Sequence, residues 1–312
     1  MSQYTQELIP GSLEDKVIVL TGGANGIGAS LVEYACENGA LVCFGDLAVE
    51  PGEALAKKVS GDGNASPPRA LFVRTDVTSY DSLLGLFDKA MQVYGRIDHA
   101  VAGAGIVEIG NVFDPALTME AVREPPPTKV LDVNLLGSIY LARIASVYMR
   151  QNRPDTNNNN NNNTSNRSIC LISSVAAFKE SPGIFLYQSS KHGVLGLMRS
   201  LRLYLPPIHG IRVNCICPWM TRTAMVKGVQ DAWISAGLPV NEPDDVARVI
   251  GKVLGDAGVN GASFYVEGGR AWEIERNLDR LEREWLGEGP AGRLARGQEV
   301  LGMGMDWVEK EK

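Results

Sequence analysis

The sequence lacks the features that mark secreted, membrane-spanning and metal-binding proteins. Residues 1–7 are polar, with no basic flank before an apolar run, so we expect no signal peptide. No apolar run reaches the roughly 20 residues that a membrane helix needs. Five cysteines and three histidines occur without a Cys-x-x-Cys or His-Glu-x-x-His pattern, which argues against a disulfide framework and a transition-metal site. We therefore expect a soluble, cytoplasmic protein without a metal ion or a membrane span.

The chain also lacks an excess of basic residues. Its formal net charge is -6 and its pI is about 5.3, which argues against electrostatic binding of nucleic acid. With 312 residues, of which 45% are hydrophobic, it is long enough to bury a large core.

What the chain does have is a glycine-rich turn between a predicted strand and a predicted helix. The apolar run Lys16-Val-Ile-Val-Leu20 indicates a buried strand, and Thr21-Gly-Gly-Ala-Asn-Gly-Ile-Gly28 follows it directly. Apolar residues at helical spacing come next, up to Gly39. Glycines let a backbone approach phosphates, and a helix N-terminus offers N–H groups and a positive dipole end. This context predicts a dinucleotide site, and the alternative is a glycine turn without a ligand.

Asp46 follows the next predicted strand, 41–44, by two residues. A carboxylate there accepts hydrogen bonds from the adenosine ribose hydroxyls and repels a 2′-phosphate. The next residue is Leu47 and the glycine turn contains Asn25, so neither place offers an Arg or Lys. This pattern favours NAD over NADP, and the alternative is an aspartate in a solvated loop.

Strand-like and helix-like segments then alternate along the chain. This alternation predicts an α/β fold, a Rossmann-type doubly wound parallel sheet, with one catalytic domain over 14–270. A run of asparagines at 157–163 predicts a disordered loop insertion at about 152–167. Residues 271–312 are predicted to form a helical C-terminal extension, which we interpret as a packing or subunit-contact arm.

Tyr187 and Lys191 are four residues apart and are predicted to lie on one face of a helix. A lysine charge this close favours the phenolate and lowers the tyrosine pKa. Such a tyrosine is a usable general acid or base on an alcohol oxygen. The pair alone is common on ordinary exposed helices, so its meaning depends on the rest of the chain.

Several segments together resemble the short-chain dehydrogenase/reductase family. These are the turn at 21–28, Asp76-Val77, Asn134, Ser174, Tyr187-Gln-Ser-Ser-Lys191, and the stretch from Val213 through Pro218 to Thr223. The resemblance covers roughly 14–270. It looks most like the NAD-dependent branch that includes 15-hydroxyprostaglandin dehydrogenase and fungal secondary-metabolite alcohol dehydrogenases.

The resemblance implies a role for four residues. Tyr187 would take the hydroxyl proton while hydride leaves the carbinol carbon for the nicotinamide. Ser174 would hold the same oxygen. Lys191 would bind the nicotinamide ribose and lower the tyrosine pKa, and Asn134 would hold a water that links this lysine to solvent.

The same resemblance implies contacts with NAD. Thr223 would reach the nicotinamide carboxamide, and Asp76 and Val77 would lie at the adenine. The full set of implied cofactor contacts is Thr21, Gly22, Asn25, Gly26, Ile27, Gly28, Asp46, Asp76, Val77, Ala104, Tyr187, Lys191, Pro218 and Thr223.

Two places depart from the family pattern. Ala102-Gly-Ala-Gly105 stands where the family has Asn-Asn-Ala-Gly, and Trp219 stands where it has a glycine after Pro218. We expect the first to loosen hydrogen bonds at the sheet edge or to reshape the adenosine side of the site. We expect the second to narrow the site or rotate its loop.

The leading hypothesis is an NAD(H)-dependent oxidoreductase that interconverts a secondary alcohol and a ketone. Two alternatives are a catalytically idle nucleotide-binding scaffold and a non-redox member of the fold. Loops 103–128, 175–186 and 219–243 would form the substrate pocket. Their bulky apolar side chains suggest an apolar small molecule, such as a secondary metabolite: Phe178, Phe185, Trp219, Met220, Met225 and Trp233. Family precedent predicts a homodimer or homotetramer.

Overall fold

The computed structural model describes residues 3–61, 66–152 and 166–302, and it arranges their strands in one sheet. The strands are β1 Gln3–Tyr4, β2 Val17–Thr21, β3 Leu41–Asp46, β4 Ala70–Arg74, β5 His99–Ala102, β6 Arg167–Ile172, β7 Ile211–Pro218, β8 Ser263–Glu267 and β9 Arg270–Glu273. The asparagine run and the predicted end of the C-terminal extension, 303–312, lie outside the described residues.

Helices follow most of the strands and cover both faces of the sheet. They are α1 Gly26–Glu37, α2 Val49–Ser60, α3 Tyr80–Tyr94, α4 Lys129–Gln151, α5 Phe185–His209, α6 Lys227–Ser235, α7 Pro243–Gly255, α8 Glu275–Arg280, α9 Glu282–Leu286 and α10 Glu288–Leu301. One apolar cluster packs α3, α4 and α5 against the sheet. A second cluster packs α1, α2 and α7 on the opposite face.

The strand order across the sheet is β1-β9-β8-β7-β6-β5-β2-β3-β4. Strands β2 to β8 pair in parallel, and the order reverses between β2 and β5. Their apolar runs are buried because helices cover both faces, as expected for parallel sheets. The predicted α/β, doubly wound fold is confirmed, with the carboxyl ends of the parallel strands along one edge.

The prediction that residue 271 opens a helix is wrong. Residues 270–273 form β9, which pairs antiparallel with β8 and with β1. Gly268 and Gly269 have φ values of +52° and +75°, and they form the two-residue turn of a β8–β9 hairpin. The helical part of the C-terminal extension therefore begins at Glu275, after the sheet has gained one further strand, β9.

Helix α4 is long and apolar, with a mean hydropathy of 1.4 over its most apolar window. By length and composition it would pass as a membrane span, but 44% of that window is buried inside the protein. Buried core helices share this length and composition, so these two properties do not identify a membrane span. Within α4, residues 132–136 form a π turn that contains Asn134, and such turns often mark functional sites.

Candidate functional site

The predicted site residues lie at the carboxyl ends of neighbouring parallel strands. Thr21 ends β2, Asp46 ends β3, and Pro218 ends β7. Ser174 follows β6 by two residues. In a doubly wound sheet, ligands bind outside this edge, where the strand order reverses. The topology thus brings the two halves of the predicted site together.

The glycine turn is shaped by backbone contacts that exclude side chains. A Cβ on Gly22, whose φ is +73°, would lie 2.7 Å from the Ala104 Cα atom. A Cβ on Gly28 would lie 1.9 Å from the Gly22 carbonyl oxygen. Asn25 precedes α1 but makes no side-chain cap to it. The backbone N–H groups of Gly26 and Ile27 lie in the first turn of α1, where no carbonyl of the helix can accept their hydrogen bonds. This arrangement fits a dinucleotide pyrophosphate.

Asp46 ties the end of β3 to the glycine turn. Its Oδ2 atom accepts a hydrogen bond from the Ala24 N–H at 3.0 Å, and its Oδ1 atom accepts one from the Ala48 N–H at 3.0 Å. An ionised carboxylate has about four lone-pair sites, so it has acceptor capacity left. The carboxylate is fixed beside the turn and remains able to bind ribose hydroxyls.

Asp76, Val77 and Thr223 lie around the rest of the predicted cofactor groove. The Asp76 Oδ1 atom accepts hydrogen bonds from the Thr78 N–H at 2.9 Å and the Thr78 hydroxyl at 2.7 Å. These bonds lower the pKa of Asp76. Val77 is buried against Gly137 of α4. Thr223 lies beside the glycine turn, since a Cβ on Gly26 would be 3.2 Å from the Thr223 Cγ2 atom.

Ser174, Tyr187 and Lys191 meet where β6 leads towards α5. The Ser174 hydroxyl is hydrogen-bonded to the Tyr187 phenol oxygen. The Ser174 Oγ atom accepts a hydrogen bond from the Ala176 N–H at 3.2 Å. The Lys191 side chain is buried, and its Nζ donates to the Ile172 carbonyl oxygen at 3.0 Å. The Lys191 Nζ lies 5.5 Å from the centre of the Tyr187 ring. The structure therefore brings a phenol, a hydroxyl and an amine into one cluster.

The pKa values of this cluster differ from the sequence-based expectation. Burial raises the pKa of Tyr187, the hydrogen bond with Ser174 opposes this rise, and Cys217 adds to it. Burial also lowers the pKa of Lys191 from 10.5 to about 8, although Cys215 and Cys217 oppose this shift. The prediction of a lowered Tyr187 pKa is thus wrong in direction, because desolvation outweighs the polar contacts.

Asn134 is buried and holds the loop that follows β5. Its Nδ2 atom donates to the Ile106 carbonyl at 2.9 Å and to the Ser190 hydroxyl at 3.0 Å. Its Oδ1 atom accepts from the Ile106 N–H at 2.8 Å. A Cβ on Gly105 would lie 3.4 Å from this oxygen and 3.5 Å from the Lys191 Nζ. Asn134 is therefore a close neighbour of the cluster, and its role in holding a water stays a prediction.

The two departures from the family pattern have local structural explanations. Gly103 passes close to β2, since a Cβ there would lie 2.7 Å from the Thr21 carbonyl oxygen. The Ala104 N–H points to the Thr21 hydroxyl at 3.5 Å, a long contact. Trp219 packs edge-on against Trp233, with ring centres 4.6 Å apart. Its ring centre also lies 6.1 Å from that of Tyr265. The indole thus joins an aromatic cluster beside the site.

Sequence reasoning missed Glu108, which lies in the loop between β5 and α4. Its carboxylate accepts hydrogen bonds from the backbone N–H groups of Phe185 and Tyr187 in the first turn of α5. The sequence carried no spacing signal for this contact because the two segments are far apart in the chain. The absence of a capping residue before Phe185 was the only available hint.

Comparisons with known proteins agree on one family. Residues 16–233 match the model of the family described as short chain dehydrogenase. The short-chain dehydrogenase/reductase ascJ of Acremonium egyptiacum is 32% identical over 86% of this chain and 83% of its own length. The 5'-hydroxyaverantin dehydrogenase of Dothistroma septosporum is 29% identical, over 88% and 91%. The 3-alpha-(or 20-beta)-hydroxysteroid dehydrogenase of Mycobacterium tuberculosis is 32% identical, over 86% and 94%.

Solved structures show the same fold. A dehydrogenase/reductase from Sinorhizobium meliloti matches 83% of this chain and 97% of its own, with a TM-score of 0.68 and 26% identity. A short-chain type dehydrogenase/reductase from Mycobacterium marinum has the same coverage and TM-score, with 25% identity.

Proposed function

The chain belongs to the short-chain dehydrogenase/reductase family, and on that premise we propose that it is an NAD(H)-dependent enzyme interconverting a secondary alcohol and a ketone. The substrate that we propose is an apolar small molecule, such as a secondary metabolite. The observation that carries the proposal is the cluster of Ser174, Tyr187 and Lys191 at the carboxyl edge of the sheet, next to the glycine turn.

The chemistry needs hydride transfer and proton transfer at one carbon–oxygen group. A bound nicotinamide supplies the hydride acceptor in oxidation and the hydride donor in reduction. Tyr187 takes the hydroxyl proton as the alcohol becomes a ketone, and returns it in the reverse direction. Ser174 donates a hydrogen bond to the same oxygen and fixes its position. Burial raises the Tyr187 pKa above its ordinary value, which favours the protonated phenol and so favours proton donation to a ketone. In the oxidation direction, Tyr187 accepts the hydroxyl proton in its phenolate form.

Cofactor choice is proposed from Asp46. Its carboxylate is held at the glycine turn by the Ala24 N–H and retains acceptor capacity for two ribose hydroxyls. A 2′-phosphate would meet this negative charge, and the adjacent Leu47 offers no cation to it. These features support NAD over NADP.

The apolar substrate is proposed from the loops around the cluster. Phe178 packs edge-on against Tyr265, and Trp219 packs edge-on against Trp233. Met225, in the same 219–243 loop as these tryptophans, is exposed. Two relatives are named for a hydroxyaverantin and for hydroxysteroids, which supports an apolar substrate with a hydroxyl group. We further propose that the protein is cytoplasmic, since five free cysteines are typical of a reducing compartment. On family precedent we also propose a homodimer or homotetramer.

The test is a titration of the purified protein with NADH and separately with NADPH, following energy transfer from tryptophan. We expect tight binding of NADH and weak binding of NADPH. We expect Asp46→Ala to lower the affinity for NADH and to reduce the difference between the affinities for NADH and NADPH. Apolar secondary alcohols are then screened with NAD by absorbance of the reduced nicotinamide. An unchanged preference in Asp46→Ala would remove this residue from the proposal. Absence of binding by either cofactor would instead favour a catalytically idle scaffold.

A further inference from the structure

The helix that carries Tyr187 begins without a capping side chain of its own. Its N-cap residue is Ile184, which makes no side-chain cap, and its first turn contains no acidic residue. A helix of 25 residues places the positive end of its dipole at this point. Its first N–H groups need partners from elsewhere in the chain.

Glu108 supplies those partners from a distant loop. Its Oε1 atom accepts from the Phe185 N–H at 2.9 Å, and its Oε2 atom accepts from the Tyr187 N–H at 2.6 Å. The Glu108 side chain is half-buried. The Glu108 carboxylate therefore lies at the positive end of the α5 dipole, where a negative charge is favourable.

The loop that carries Glu108 is fixed on both sides of this contact. Before it, Ile106 exchanges two hydrogen bonds with the side chain of Asn134. After it, Phe113 packs edge-on against Phe185, with ring centres 4.8 Å apart. The segment 106–113 is thus attached to α4 through Asn134 and to the first turn of α5 through Glu108 and Phe113.

We infer that Glu108 is a positioning residue that holds the first turn of α5, and with it Tyr187, against the 106–113 segment. This inference rests on the proposed function for its catalytic consequence but not for its structural part. The carboxylate bonds the backbone of Tyr187 itself, so losing it frees the peptide group that carries the acid/base. A displacement of about 1 Å at a reacting group can cost roughly a hundredfold in rate. The same contact ties Tyr187 to a loop with exposed apolar side chains, including Ile109 at 94% exposure.

The structural part is tested by amide hydrogen exchange in the protein without added substrate. In Glu108→Ala we expect exchange of peptides covering 183–190 to rise about ten- to a hundredfold, as expected for loss of hydrogen bonds to a charged group. Glu108→Gln should give an intermediate rise, because its carbonyl oxygen still accepts one N–H. Unchanged exchange at 183–190 in Glu108→Ala would overturn the inference, whatever the protein catalyses.

The catalytic part is tested by kinetics with NAD and a turned-over alcohol. We expect kcat of Glu108→Ala to fall about ten- to a hundredfold, with the Kd of NADH unchanged. The primary deuterium isotope effect on kcat should increase, because misplacement of Tyr187 slows the chemical step. Global loss of folded protein would lower the rate but leave the isotope effect of the remaining enzyme as it was. An increased exchange with unchanged kcat and isotope effect would also overturn the inference.

Asp245→Ala is the matched control. The Asp245 carboxylate accepts the Glu242 N–H at 2.8 Å at the start of α7, so it too is an acid bonded to a helix N-terminus. We expect this variant to lose thermal stability while exchange at 183–190 and the isotope effect stay at their wild-type values. If the proposed function is wrong, the wild-type protein will neither bind the cofactor nor turn over an alcohol. The hydrogen-exchange experiment tests the structural role of Glu108 independently of that result.

Discussion

Burial of the Lys191 amine has a measurable consequence for the pH dependence of the protein's stability. Its side chain is 5% exposed, and burial lowers its pKa from 10.5 to about 8. Below pH 8 the folded and the unfolded chain both carry the ammonium group, and the folded state bears the cost of burying it. Between about pH 8 and 10.5 the folded state has released a proton that the unfolded chain retains. The contribution of Lys191 to the free energy of unfolding therefore rises with pH between about pH 8 and 10.5.

The perturbation is Lys191→Met, which removes the titrating group and keeps a side chain of similar length. From the two pKa values, the wild type should gain about 2 kcal/mol of unfolding free energy relative to the variant between pH 7 and pH 9.5. A pH-independent effect of the substitution, such as loss of the bond to Ile172, cancels in this comparison. The assay is urea unfolding followed by tryptophan fluorescence at both pH values, without cofactor.

The control is Lys179→Met, which removes a lysine whose side chain is 66% exposed. Its stability should follow that of the wild type at both pH values. If Lys191→Met also follows the wild type to within about 0.5 kcal/mol, the amine keeps its ordinary pKa. The reasoning from burial would then be refuted.

Two further predictions concern Tyr187 and Glu275. Tyr187→Phe should reduce kcat at least about a hundredfold, the low end for general acid–base catalysis, and near-normal turnover would exclude the mechanism; Tyr204→Phe on the same helix is the control. Glu275, 3% exposed, pairs with Arg199 at 2.9 Å, so Glu275→Ala should cost about 3 kcal/mol of unfolding free energy. Glu288→Ala, which breaks an exposed pair with Arg283, should cost under about 0.5 kcal/mol in the same urea experiment, and equal losses would contradict the argument.

The parallel part of the sheet was predictable because each strand is a short apolar run followed by turn residues. The strand predicted at 16–20 is observed as Val17–Thr21, and the one predicted at 41–44 extends to Asp46. The motif residues converge because the carboxyl ends of parallel strands share one edge. Position in the chain was therefore enough to place Thr21, Asp46 and Ser174 near one another.

The C-terminal hairpin was missed because Ile274, Leu278 and Leu281 fit the spacing of a helix. The adjacent Gly268 and Gly269 carried the better signal, since two glycines between apolar runs indicate a tight hairpin. Tertiary pairing with β8 and β1 then decides the conformation, and local periodicity contains no information about it.

The pKa of Tyr187 and the role of Glu108 were missed for a different reason. Spacing places Lys191 one helical turn from Tyr187, but it does not reveal that both side chains are desolvated. The bond from Tyr187 to Glu108 joins residues that only the folded chain brings together. Such contacts are properties of the assembled core, so no pattern within one segment contains them.

The outer edge of the sheet also constrains the order of events during synthesis. Gln3 pairs with Trp272, and Tyr4 pairs with Ala271. On a ribosome, β1 is the first of the described strands to emerge, yet its partner β9 is the last. Strands β2 and β3 can associate while translation continues, whereas β1 must wait with unpaired backbone groups until residue 273 has left the exit tunnel. Pairing of β1 with β9 is thus a late step in folding, and its timing depends on chain length and elongation rate rather than on local strand propensity.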